Sequence, residues 1–161
     1  MKNIAVIGTG VIGTGWILRF LANDIKVKAF DKNSQQINFL KEEITRTNLI
    51  IKNLYNTKIN IKNLEIVDDI EEAVQNADLI QENVPERLTL KKDVIKNISK
   101  YSPSNSIIAS SSSGLLPSDL QSKCINPKRL IIAHPFNPVY ILPLVEIVKG
   151  KKTTNLYLNK A

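Results

Sequence analysis

Short β-branched runs alternate along this chain with longer segments whose apolar residues recur at helical spacing. Asn3–Ile7 is a continuous apolar run of strand length. A glycine cluster follows and opens onto Val11–Asn23, where the apolar residues suit a buried helix. In Ile25–Phe30, Val27 and Ala29 alternate with Lys26 and Lys28, which is the period of a strand. Ser34 can cap a long helix running to about Leu54, with Ile37, Leu40, Ile44 and Ile51 at helical spacing. Residues 55–63 are rich in Asn and Lys and predict an irregular connection.

The same alternation continues through the second half. Strands are predicted at Leu64–Val67, Ala77–Gln81, Ser106–Ala109, Leu130–Ala133 and Leu144–Val148. Helices are predicted at Asp69–Gln75, from about Leu88 to Tyr101 with Leu90, Val94 and Ile98 on one face, and near Pro117–Gln121. Strands alternating with helices imply an α/β fold with a mostly parallel, doubly wound sheet covered on both faces, the nucleotide-binding architecture.

Composition narrows the class. The 161 residues are the size of one domain. A hydrophobic share of 43% and a charged share of 23% exclude a disordered polymer. The N-terminal MKNIAVIGTG reads as neither a signal peptide nor a membrane span, so a cytoplasmic protein without a membrane partner is expected. Cys124 is the only cysteine, which rules out an intramolecular disulfide and a cysteine-built zinc site; no metal is expected. The net charge of +7 raises the question of nucleic acid. Yet the basic residues lie as singles and pairs without interleaved aromatics, so no nucleic-acid partner is expected. With 17 Asn and 23 Ile, the lysine excess belongs to a general compositional bias.

The densest chemical signal is Gly8-Thr9-Gly10-Val11-Ile12-Gly13, a G-x-G-x-x-G that follows the first predicted strand and opens the first helix. The first glycine permits a tight turn, the second lets a pyrophosphate approach the backbone, and the third lets helix and strand pack closely. The pyrophosphate then sits on the positive end of the helix. Asp31 ends the second strand 18 positions after Gly13 and is placed to bind the adenosine ribose hydroxyls; its charge repels a 2′-phosphate, which favours NAD over NADP. Trp16, inside the helix, reads as core packing.

His134, the only histidine, ends the LIIAH strand, on the side of a parallel sheet where ligands gather. The segment His134-Pro135-Phe136-Asn137-Pro138-Val139-Tyr140 is a proline-stiffened turn leading to Glu146 in an apolar strand. If the turn folds strand against strand, Glu146 accepts the proton on one imidazole nitrogen and leaves the other as a base. The alternative for Glu146 is an exposed strand face. Ser110-Ser111-Ser112-Ser113-Gly114 follows another strand end; Ser110 and Ser112 read as a solvated turn or a helix cap, or one hydroxyl of the run donates to a substrate oxygen. Cys124, without a base partner, reads as a structural thiol.

The segments GTGVIGTGW, QENVPERLTLKK, SSSSGLLPS and HPFNPVYILPLVEIV together resemble the NAD-binding domain of the 3-hydroxyacyl-CoA dehydrogenase superfamily. Within it, the last two most resemble the carnitine 3-dehydrogenases. The resemblance implies that His134 takes the proton of a substrate 3-hydroxyl, Glu146 orients it, and Ser113 binds the reacting oxygen. It also implies that Asn137 lies beside the nicotinamide and that Glu86 and Lys91 line its ribose; read alone, that pair is a solvated helix start. The implied substrate is a small molecule, carnitine or alternatively a 3-hydroxyacyl-CoA. Family members carry a further helical domain that closes over substrate and builds the dimer. The tail TTNLYLNKA shows none, which leaves a non-catalytic NAD-binding remnant as the alternative from another class.

Overall fold

In the computed structural model, which describes residues 1–161, the elements in chain order are β1 (Asn3–Ile7), α1 (Val11–Ala22), β2 (Lys26–Phe30), α2 (Ser34–Tyr55), β3 (Leu64–Ile66), α3 (Ile70–Val74), β4 (Leu79–Glu82), α4 (Leu88–Tyr101), β5 (Ile107–Ser110), α5 (Pro117–Leu120), β6 (Leu130–Pro135), β7 (Val145–Lys149) and α6 (Asn155–Lys160). The strands form one sheet in the order β3-β2-β1-β4-β5-β6-β7. All neighbours are parallel except β6 and β7, which pair antiparallel. This is the doubly wound Rossmann-type order, with the strand order reversing between β1 and β4.

Two-residue periodicity divides the core between the faces. Ala5, Ile7, Ile80, Ile108 and Ile132 pack with Ala73 and Val74 of α3, Ile95 and Ile98 of α4, and Leu120 of α5. Ile4, Val6, Val27 and Ala29 pack on the other face with Ile17, Leu18 and Leu21 of α1 and Leu40, Ile44 and Ile51 of α2. Both clusters are buried, as the near-continuous apolar strands require.

Several element ends differ from the sequence reading. The cap of α2 is Asn33 rather than Ser34: its side-chain oxygen accepts from Gln35 N at 3.0 Å, and Ser34 is the first helical residue. The 55–63 connection contains a 3-10 turn at Ile61–Asn63. β4 runs to Glu82, and β6 runs one residue beyond His134 because its pairing with β7 continues through Pro135. Cys124 is buried, and burial pushes its thiol up from the ordinary value, in keeping with a structural role. No helix is long and apolar enough to cross a membrane.

Candidate active site

The glycine motif folds as its spacing requires. Gly8 has φ +92, and a Cβ there would stand 2.9 Å from the Asn83 carbonyl group. A Cβ on Gly13 would lie 1.9 Å from Gly8 O, so α1 meets β1 at a distance only glycine allows. Gly10 differs: its Cβ would meet nothing nearer than Gln36 Oε1 at 3.7 Å, so the protein leaves the space above it open. Gly10 caps α1 without a side-chain bond and the first turn holds no acidic residue, so the N–H groups of Val11, Ile12 and Gly13 keep their positive character. Val11 points its side chain into solvent, whereas Ile12 lines the cleft described below.

Asp31 closes the loop from the side. Its Oδ2 accepts from Thr9 N at 2.7 Å and from Thr9 Oγ1 at 3.3 Å, and its Oδ1 accepts from Asn33 N at 2.9 Å. The carboxylate borders a cavity of about 490 Å³ whose walls include Gly8, Gly10, Phe30, Ile70, Val84 and Leu90. Six apolar side chains, an acidic corner at Asp31 and the cations Lys32 and Arg87, beside an open helix start, suit an adenosine and its diphosphate. This cavity shares Asn83 and Val84 with a second one, of about 320 Å³, lined also by Ile12, Glu86, Lys91, Ser111, Ser113, His134 and Pro135. The ends of β1, β4, β5 and β6 thus border one continuous cleft.

Three of the four serine hydroxyls are used inside the protein. Ser110 Oγ donates to Glu82 Oε2, Ser111 Oγ donates to Asn83 Oδ1 at 2.7 Å, and Ser112 Oγ donates to Glu86 Oε1. Ser110 and Ser112 are buried, so neither lies in a solvated turn. The Ser113 side chain alone makes no hydrogen bond, and it lines the cleft with His134. Glu86 Oε1 also takes the N–H groups of Ser113 and Gly114 at 3.1 and 3.0 Å. Burial pushes the Glu86 carboxyl up, but the Ser112 hydroxyl, the Gly114 N–H, Lys91 and the Ser113 N–H outweigh it and hold the group below its ordinary value.

Lys91 is not on a solvated helix face. It is 1% exposed, and its Nζ lies 2.8 and 3.1 Å from the two oxygens of Glu82, itself fully buried, and 3.5 Å from Glu86 Oε2. The paired ammonium floors the cleft, and its charge is answered twice. Nothing in the sequence singles out Glu82, because a glutamate ending an apolar strand gives no sign of its pairing with a lysine nine residues on.

His134 and Glu146 occupy paired positions of the β6–β7 ladder, and Nδ1 lies 2.9 Å from Glu146 Oε2. An ionised carboxylate can only accept, so Nδ1 carries the hydrogen, and in the neutral imidazole Nε2 keeps its lone pair. Both readings of Glu146 meet here: it is on an exposed strand face, 58% accessible, and it holds the imidazole. Phe136 lies against His134, ring centroids 5.9 Å apart. Asn137, expected beside the nicotinamide, is exposed in the turn after β6 and is not among the residues lining the cleft. Trp16 packs as expected, stacked on Phe20 at 5.3 Å, but its Nε1 also donates to Ser111 Oγ at 3.2 Å, a bond that its sequence position does not signal.

Residues 3–161 match the family described as 3-hydroxyacyl-CoA dehydrogenase, NAD binding domain. The chain is 52% identical to the L-carnitine dehydrogenase of Oceanobacillus iheyensis over 100% of its own length and 53% of the relative's. It is 45% identical to that of Bacillus cereus over 99% of its own length and 49% of the relative's. The chain therefore spans about half the length of these curated relatives. Among solved structures, it superposes on the NAD+-dependent dismutase 5-formyl-3-hydroxy-2-methylpyridine 4-carboxylic acid 5-dehydrogenase with a TM-score of 0.92 at 30% identity, covering 99% of this chain and 52% of that one. A diketoreductase gives 0.91 at 26%, covering 99% and 59%.

Proposed function

The chain belongs to the 3-hydroxyacyl-CoA dehydrogenase family through its NAD-binding domain, and from that premise we propose that it serves the NAD-dependent oxidation of a 3-hydroxyl to a 3-keto group, with L-carnitine as substrate. The residues fit NAD: the open space above Gly10, the uncapped start of α1 and the Asp31 corner match pyrophosphate and ribose, and the Asp31 charge disfavours a 2′-phosphate. When bound, the nicotinamide supplies the acceptor for the hydride leaving the substrate carbon.

The chain's own groups handle the proton. His134 Nε2 takes it from the substrate hydroxyl as the carbonyl forms, and Glu146 holds Nδ1–H and supports the imidazolium that results. Ser113, its hydroxyl free of protein partners, donates to the reacting oxygen. Glu86 keeps Ser113 in place by gripping residues 112–114, and Lys91, neutralised by Glu82, supports Glu86. Gly8, Gly10 and Gly13, with the first-turn N–H groups of Val11 and Ile12, hold the cofactor end of the cleft.

The observation that carries the substrate choice is charge. The protein is +7 overall, yet Lys91 is the only Lys or Arg lining the smaller, His134-bearing cavity, and it faces two carboxylates, with Glu146 a third behind His134. A cleft with that excess of negative charge suits a substrate bearing a quaternary ammonium and disfavours the polyanionic CoA. In this reading the whole protein is cytoplasmic and dimerises outside the NAD-binding domain.

The test is NADH production by the protein offered L-carnitine and, in parallel, 3-hydroxybutyryl-CoA. Turnover of carnitine, abolished by His134→Gln with NAD affinity kept, is expected. Faster turnover of the CoA ester would overturn the substrate, and NAD binding without turnover of either would reduce the chain to a binding module.

A further inference from the structure

The Ser111 hydroxyl has no capacity left for a ligand. It accepts from Trp16 Nε1 at 3.2 Å and from Gln81 Nε2 at 2.8 Å, and it donates to Asn83 Oδ1 at 2.7 Å. One O–H and two lone pairs are then all occupied. Ser111 lines the cleft beside Ser113 and His134, but everything its side chain does is internal.

Each partner of that hydroxyl leads to a different wall of the cleft. The Asn83 backbone packs where a Gly8 Cβ would stand, and its Nδ2 lies 3.4 Å from the place of a Gly13 Cβ, so Asn83 touches both ends of the glycine loop. Gln81, 1% exposed, also reaches Ala133 O at 3.4 Å, the residue before His134. Trp16 sits on α1, one turn beyond Ile12 and Gly13. Its ring lies nearly parallel to Phe20, 18° between planes, and this stack fixes where the indole N–H points. A phenyl ring can keep the stack on Phe20 but carries no N–H, so the bond to Ser111 is what tryptophan adds to that stack.

We propose that Trp16 is a positioning residue of the cleft: through the Ser111 hydroxyl its indole N–H locks α1 to the ends of β4 and β5, and so sets the spacing between the glycine loop and the His134–Ser113 pair. The proposal rests on the reading of this cleft as the reacting site. A shift of about 1 Å in such a spacing costs roughly a hundredfold in rate, so one hydrogen bond that fixes it has leverage beyond its own strength.

The chain has one tryptophan and one histidine, so the indole Nε1–H and the His134 ring Cε1–H each give a single NMR signal. In the wild type, saturating NAD shifts the His134 signal. Trp16→Phe is expected to keep the NAD Kd within about threefold while the His134 response falls to roughly half or less. Ser111→Ala, which also frees Gln81 and Asn83, is expected to move the indole signal and to weaken the His134 response at least as much. The double variant adds nothing further, the non-additivity of two residues on one path. A purely packing role for Trp16 would give additive effects, and that result, or a wild-type His134 response in Trp16→Phe, overturns the proposal. If Trp16→Phe does not fold, β-(3-benzothienyl)alanine at position 16, which keeps the bicyclic ring and lacks only the N–H, takes its place in the same comparison. Absence of any His134 response to NAD in the wild type overturns the functional reading itself, and the proposal with it.

Discussion

His134 and Glu146 stand directly opposite each other across the only antiparallel pair of the sheet, with Nδ1 and Oε2 2.9 Å apart. The Glu146 side chain is 58% exposed, so the pair adds little to stability; exposed ion pairs contribute about 0–1 kcal/mol. What it fixes is the tautomer and the direction of Nε2. Glu146→Gln should therefore leave the melting temperature nearly unchanged and the Kd for NAD intact, while kcat falls by roughly 10–100-fold. A calorimetric scan beside steady-state kinetics checks this; a fall in stability with kcat kept would make Glu146 merely structural.

Asp31 binds both the loop and, in the proposed function, the ribose. Asp31→Ala removes the acceptor of Thr9 N and Asn33 N as well as the ribose contact. Charge-assisted hydrogen bonds contribute about 1.5–3 kcal/mol each, so the NAD Kd should rise by roughly tenfold or more. The preference over NADP should shrink with it, since the repelling charge is gone. Titration calorimetry with both cofactors measures the two effects, and an unchanged NAD affinity would contradict the ribose assignment.

The glycines make a sharper contrast. Gly13→Ala puts a Cβ 1.9 Å from Gly8 O, where backbone must move, so stability and NAD binding should fall together. Gly10→Ala meets no protein atom within 3.7 Å, so the fold should hold while NAD affinity drops. Thermal unfolding of the apo proteins separates the two; equal destabilisation by both changes would remove the assignment of the space above Gly10 to a ligand.

Local signals carried most of this architecture. The period-2 runs, the glycine spacing and the proline-stiffened turn between His134 and Glu146 all act over a dozen residues or fewer, so their geometry was legible from the sequence. Contacts made by the sheet order were not. Lys91 sits on an amphipathic helix and reads as solvated; only β4 lying beneath α4 buries it against Glu82. Trp16 and Ser111 are 95 residues apart and meet because β4 and β5 follow β1 in the sheet. The choice of Asn33 over Ser34 as the α2 cap turned on a single residue step between two good caps.

Glu86 gives the serine loop a pH dependence whose sign follows from its partners. Burial alone raises its carboxyl, but the Ser112 hydroxyl, the Gly114 N–H, Lys91 and the Ser113 N–H favour the charged form more strongly, so in the folded protein it ionises below the ordinary carboxylate value of about 4.3. A depressed folded-state value means that its contribution is complete above the ordinary value and is lost as pH falls through the lower, folded one. The amide signals of Ser113 and Gly114 should therefore stay constant from neutral pH down into the ordinary carboxylate range, and move together only below it. Glu86→Gln keeps an oxygen acceptor but removes the charge that Lys91 and the three donors answer, so both amide signals should lose that transition and the loop should be less ordered at neutral pH. A transition above the ordinary carboxylate range, or its persistence in Glu86→Gln, would mean that another group holds the Ser113 loop in place.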